Sequence, residues 1–188
     1  MAEDTRERIL AACERVIAGD GLSRFRMQRV AREAGVSIGL LAYHFGDRDG
    51  LLQAALDHVN AGAAERAARV PEASDARARL AALLCSEFGD DARIRAGSTL
   101  WNELRAAAVF APAQAGALAK STREWQDSVR RLIVEAGRSA ADADAAALAL
   151  TALVEGLSGR WLTGQIDVGE AQATVRGALA ALGLEPPA

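Results

Sequence analysis

Apolar residues return at three- and four-residue intervals along nearly the whole chain, and no stretch alternates with a two-residue period long enough to suggest a strand. The pattern predicts an all-α protein of about nine helices. Ile9, Leu10, Cys13, Val16 and Ile17 form one stripe; Asp4 and Glu7 have the spacing of a capping box at its start, and Gly19 and Gly21 mark its end. Met27, Val30, Ala31 and Ala34 repeat at helical spacing, Gly35 and Val36 break the repeat, and Ser37 is placed to cap a second short helix ending near Phe45. Asp47 fits the cap of a fourth helix running from Arg48 toward Val70, where Pro71 stops it. Further helices are predicted at about 75–88, 91–110, 113–136, 141–163 and 168–182, with breaks near Gly89, Pro112, Gly137 and Gly164.

Two short helices joined by a tight turn make a helix-turn-helix, of which the second helix enters a DNA major groove. The chain therefore divides, on this reading, into a three-helix DNA-binding domain over residues 1–50 and a helical ligand-binding and dimerising domain over 51–188. Ser37, Tyr43 and His44 can donate hydrogen bonds to phosphates, Gly39 lets backbone approach closely, and Arg48 adds positive charge beside the passing strand.

The net charge of −3 argues against a nucleic-acid binder until it is resolved along the chain. Between Leu22 and Arg48, five arginines (Arg24, Arg26, Arg29, Arg32, Arg48) face only Glu33 and Asp47, and steering depends on that local field. Hydrophobic residues make up 51% and aromatics 4%, with many alanines, which suits helices packed closely through small side chains. No segment reaches the roughly 20 apolar residues of a membrane span, and the charged start MAEDTRER lacks a signal-peptide core, so a cytoplasmic protein without membrane contact is expected. Cys13 and Cys85 sit among apolar neighbours with no CxxC and no histidine pair, which favours buried reduced thiols over a metal site; no cofactor is expected. There is no GxSxG, Walker loop or HExxH, and Asp90 and Asp91 read as a helix start, so an enzyme is not expected.

Gly35-Val36-Ser37, Gly39, Tyr43-His44-Phe45, Asp47-Arg48-Asp49 and Leu51-Leu52 together resemble the signature of the TetR family of bacterial transcriptional repressors. Ile9, Leu10, Ala12 and Gly21 extend the likeness into the first helix. Ala42, the FGDRDGLL segment and Ala152–Leu157 are similar to the choline-responsive BetI-type branch. The resemblance implies that Ser37, Ile38 and Gly39 begin the recognition helix, that Ala42, Tyr43 and His44 form its exposed later turn, and that Arg48 stands for a phosphate-contacting lysine. Ile38 and Ala42 offer apolar contact to thymine methyls. Arg26 departs from the family pattern, standing where Ser or Thr usually caps the motif's first helix. An arginine there opposes the helix dipole unless a DNA phosphate joins it, and Ser23 capping a longer turn is the competing account.

The last two helices carry Leu148, Leu150, Leu153, Val154 and Leu157, and Val175, Leu179 and Leu182, a surface that two copies would bury as a four-helix bundle unless it packs on its own core. The resemblance implies the same homodimer. Trp101, Trp125 and Trp161 fall on three different helices, with Glu103, Glu124 and Glu155 nearby in sequence. They either fill the core or line a pocket, and with Glu155 could cage a cationic effector. The sequence thus reads as a dimeric repressor on a palindromic double-stranded operator, released by a small molecule; the rival is a helical DNA-binding scaffold that senses nothing.

Overall fold

The computed structural model describes residues 2–68 and 75–187, and every regular element among them is helical. In chain order these are α1 (Ala2–Asp20), a 3-10 turn (Leu22–Arg24), α2 (Met27–Ala34), α3 (Ile38–Phe45), α4 (Arg48–Ala68), α5 (Ala76–Cys85), α6 (Ala92–Ala108), α7 (Pro112–Glu135), α8 (Ala140–Leu162) and α9 (Val168–Ala181). The expected stop of α4 at Val70 and Pro71 lies outside the described residues. One expectation at the other end fails: Asp4 does not cap α1, because the helix begins at Ala2 and leaves Asp4 inside its first turn, 3.9 Å from Arg8 one turn on.

Local chemistry sets the remaining boundaries. Gly35 closes α2 at φ 67°, a left-handed conformation natural to glycine, and its N–H reaches the carbonyls of Ala31 and Arg32. Ser37 then caps α3 by accepting from Leu40 N–H at 3.1 Å, and Asp47 caps α4 by accepting from Gly50 N–H at 2.9 Å. Asp75, Asp91 and Ser139 serve α5, α6 and α8 in the same way. At α9 the box is complete: Asp167 accepts from Glu170 N–H at 2.8 Å, and Glu170 accepts in return from Asp167 N–H at 2.9 Å.

The helices form two compact units whose membership does not follow chain order. The first runs to Asn60 and resumes over Arg95–Ser121; the second takes Ala61–Ile94 and the chain from Thr122 onward. In the first unit, Ile9, Leu10 and Ile17 of α1, Phe25, Leu41 of α3 and Leu51 and Leu56 of α4 bury together with Leu100 and Leu104 of α6. A polar clasp adds to that apolar seam. The Glu103 carboxylate on α6 accepts from Leu22 N–H at 2.8 Å, satisfying the turn that leads from α1 to α2. The boundary expected near residue 50 thus falls inside α4, and α6 belongs with the helix-turn-helix because its leucines complete that core.

In the second unit, α5, α7, α8 and α9 enclose Leu80, Leu84, Phe88, Val129, Ile133, Leu150, Val154, Val175 and Leu179. This changes the expected interface. Leu150, Val154, Leu157, Val175 and Leu179 are buried within their own unit by these neighbours. Among the residues exposed on α8 are Ala145, Leu148, Ala149, Ala152 and Gly156, and on α9 Gly169, Ala173, Gly177 and Ala180, with Arg176 exposed beside them. Each set recurs every three or four residues and so lines one side of its helix.

Both cysteines are buried and unpaired. Burial, with the Glu14 charge adding to it, pushes the Cys13 thiol from 9.0 up to about 12, and burial also raises Cys85 against the opposing Arg176 charge. Neither thiol should react with a thiolate-seeking reagent at pH 8 until the chain is denatured, whereupon both should. Stoichiometric native labelling of Cys13 would contradict the packing. The sign for stability follows from the raised folded pKa: the contribution of Cys13 is complete below about pH 9 and drains away as pH climbs toward 12.

Candidate nucleic-acid interface

Helix α3 is divided between a buried and a bare side. Leu41 and Phe45 enter the core, while Ser37, Ile38, Gly39, Ala42 and Tyr43 are exposed and His44 is half-buried. Tyr43 is 84% exposed and Ile38 44%, unusual for residues of their size and without return to the fold. The Tyr43 and His44 rings meet edge to face at 5.4 Å, and the His44 and Phe45 centroids are 6.0 Å apart, so the exposed aromatic pair is tied to the buried one. Glycine at 39 serves no steric need of the fold, since an added Cβ would meet nothing closer than Ser37 Oγ at 3.9 Å. It costs the helix about 0.8–1 kcal/mol relative to alanine.

Ion pairs thin out the local positive charge counted in the sequence. Arg29 is bound to Asp20 at 2.6 Å, and Arg48 lies 3.5 Å from Asp49 with its guanidinium 5.6 Å from the Phe25 ring centroid. Arg26 caps nothing through its side chain, and neither does Ser23. The Arg26 guanidinium turns back to donate to the carbonyls of Phe25 and Ser23, at 2.7 and 3.4 Å. That offsets the unfavourable end of the dipole with local carbonyls in the absence of DNA. One arginine escaped the sequence reading: Arg6, exposed on α1, with its guanidinium 5.6 Å from the Phe45 ring centroid. It stands in phase with the apolar stripe of α1, one turn before Ile9 and Leu10, where a charged residue reads as the end of the stripe and not as a site.

The tryptophans do not share one environment. Trp101 lies in the first unit, where its Nε1–H donates to Asn60 Oδ1 at 3.2 Å and the Arg105 guanidinium stands 5.4 Å from its ring centroid. A cation from the chain itself already occupies that face. Trp161, in the second unit, is core: it is 5% exposed and packs edge to face on Phe88 at 5.8 Å. Trp125 is half-buried against the same core, and its indole Nε1 is buried with no hydrogen-bond partner. Glu155 is half-buried on α8, Glu124 is exposed, and Glu103 is committed to the Leu22 clasp. Among the described residues no group of three or more His, Cys, Asp or Glu is placed to hold a metal, and no helix is long and apolar enough to cross a membrane.

Comparison with known proteins places both halves of the chain. Residues 9–55 match the model of bacterial regulatory proteins of the tetR family, and residues 76–184 match that of the C-terminal region of BetI-type transcriptional repressors. The transcriptional regulator BetI of Burkholderia thailandensis is 35% identical over 176 residues, covering 90% of this chain and 86% of that one. The BetI of Burkholderia ambifaria is 37% identical over 92 residues, 48% of this chain, so the match spans about half (47%) of that relative. A Rhodococcus sp. protein solved as a TetR-family transcriptional regulator superposes with a TM-score of 0.90 at 40% identity, over 96% of this chain and 98% of that one.

Proposed function

This chain belongs to the TetR family of bacterial regulatory proteins, with a BetI-type C-terminal region, and from that premise we propose that it is a dimeric repressor released from a palindromic operator by a small cationic effector. It is a transcriptional regulator, as its relatives are, and the proposal concerns how it acts. The observation that carries the DNA reading is the bare side of α3, where Tyr43 and Ile38 stand in water above a packed base of Leu41 and Phe45. Ser37, Tyr43, His44, Arg26 and Arg48 hold phosphates and fix register, Ile38 and Ala42 meet base edges, and Gly39 admits the strand closely.

Two copies join through the small-residue sides of α8 and α9, where alanines and glycines allow close helix approach and Leu148 supplies the apolar centre. The effector contacts fall to Trp125 and Glu155 of the second unit: the indole offers a ring face and an unsatisfied N–H, and the carboxylate offers charge. Trp101 and Trp161 take structural roles instead. An effector favouring the arrangement that cannot hold DNA lowers operator affinity, and by linkage DNA lowers effector affinity by the same factor.

Selection of duplexes from a random pool by the full-length protein tests this. It should enrich an inverted repeat whose half-sites lie about one helical turn, roughly 34–36 Å, apart. Choline added to that complex should release the DNA and shift tryptophan emission, with the shift lost in Trp125→Leu. Failure to enrich any sequence would refute the DNA reading. Enrichment without release by any quaternary ammonium compound would leave the scaffold reading, with no cation sensing.

A further inference from the structure

We infer that Arg6 is a DNA phosphate contact, extending the recognition surface from α3 onto the first helix. The proposal rests on the DNA-binding reading above and adds to it a residue outside the helix-turn-helix.

Three observations carry it. The first is position: the Arg6 guanidinium lies 5.6 Å from the centroid of Phe45, the last residue of α3, and Phe45 is in turn 6.0 Å from His44. Arg6 therefore lies beside the C-terminal end of the recognition helix. The second is electrostatic. Arg8 and Arg15 on the same helix, and Arg29 and Arg48 of the helix-turn-helix, each have a carboxylate within 4 Å: Asp4, Glu33, Asp20 and Asp49. Among the described residues Arg6 has no such partner. Its charge is unspent, and it adds to the charges of Arg24, Arg26 and Arg32, which likewise have no carboxylate within 4 Å among the described residues.

The third is preorganisation. A lone exposed arginine samples many rotamers, and fixing it on DNA costs side-chain entropy. Stacking on the face of Phe45 restricts that freedom beforehand while leaving the donors on the guanidinium edge open, the fork that suits a phosphate. A cation placed only to cover Phe45 would need no unpaired charge; a leucine would cover the ring as well. The chemistry recognised is a phosphodiester oxygen, which carries no base identity, so Arg6 should add affinity on every sequence alike.

The salt dependence of binding separates this from a structural role, because its slope counts phosphates neutralised and is indifferent to packing. Wild-type protein, Arg6→Met, Arg6→Gln, Arg6→Lys and Arg8→Gln are compared on two duplexes, one enriched by the wild type from a random pool and one unrelated duplex of the same length. Methionine keeps an apolar stem on Phe45, so that variant holds its fold even if glutamine loosens it; thermal melting checks this directly. Arg6→Met should flatten the log–log salt slope by about 0.9 per subunit on both duplexes and weaken binding by roughly ten-fold or more at 0.15 M salt. Arg6→Lys and Arg8→Gln should keep the wild-type slope. A folded Arg6→Met with an unchanged slope overturns the assignment while the DNA reading stands, and an equal loss in Arg8→Gln overturns it by showing only a general charge effect. A wild type that enriches no duplex refutes the underlying DNA reading instead.

Discussion

Leu148→Asp is expected to yield a folded monomer that no longer holds the selected duplex, whereas Leu179→Asp is expected not to fold its second unit at all. The two leucines look interchangeable in sequence, each on an apolar helix near the C-terminus. In the structure Leu148 is 59% exposed on the outer side of α8, and Leu179 is fully buried against α5 and α8. A charge at an exposed position changes folding stability by about 0.5 kcal/mol or less, but at the centre of a two-fold interface it is doubled and desolvated twice. A monomer keeps half the phosphate contacts, so affinity for the enriched duplex should fall by roughly a thousand-fold. Burying an unpaired carboxylate at 179 should cost on the order of 4 kcal/mol or more, a large share of a domain's stability. Sedimentation velocity at micromolar concentration and thermal melting distinguish the two outcomes. A Leu148→Asp protein that sediments as a dimer would move the interface off α8.

Substitutions on α3 should fall into two kinds that affinity alone does not reveal. Tyr43→Ala and His44→Ala should weaken binding on enriched and unrelated duplexes by similar factors, about ten-fold each, since phosphate contacts carry no base information. Ile38→Ala and Ala42→Ser should change little on the unrelated duplex and redirect which sequence is enriched, with a discrimination of about 1–3 kcal/mol per base pair at stake. Tyr43 is 84% exposed, and its ring meets that of His44 edge to face, so Tyr43→Ala should melt within a degree or two of the wild type. Loss confined to one sequence in Tyr43→Ala would reassign that side chain to base reading.

Much of this was legible in the chain because local chemistry enforced it. The α1 stripe is buried as its spacing demands, and Gly35, Ser37 and Asp47 place the turn, the recognition helix and the start of α4 through hydrogen bonds spanning three residues. The misreadings arise where a residue has two competent roles. Asp4 and Glu7 have capping-box spacing, yet nothing before them stops a helix, so α1 runs on to Ala2. Leu150, Val154, Val175 and Leu179 announce apolar sides but not the partner; α5 and α7 supply it from the same unit. Trp101 and Arg105 stand four apart on one helix, and that spacing already predicts a cation over the indole.

The place of α6 bears on how freely such a regulator can be recombined. Leu100 and Leu104 finish the core beneath the recognition helix, and Glu103 holds the turn before α2, though more than forty residues separate them from the end of α3. A graft that exchanges only the first fifty or sixty residues between two regulators would transplant the reading head without part of its foundation, leaving Leu22 N–H and a leucine seam facing foreign side chains. The heritable module is discontinuous: new operator specificity must either travel with a matching α6 or be confined to the exposed positions of α3, which the core does not see.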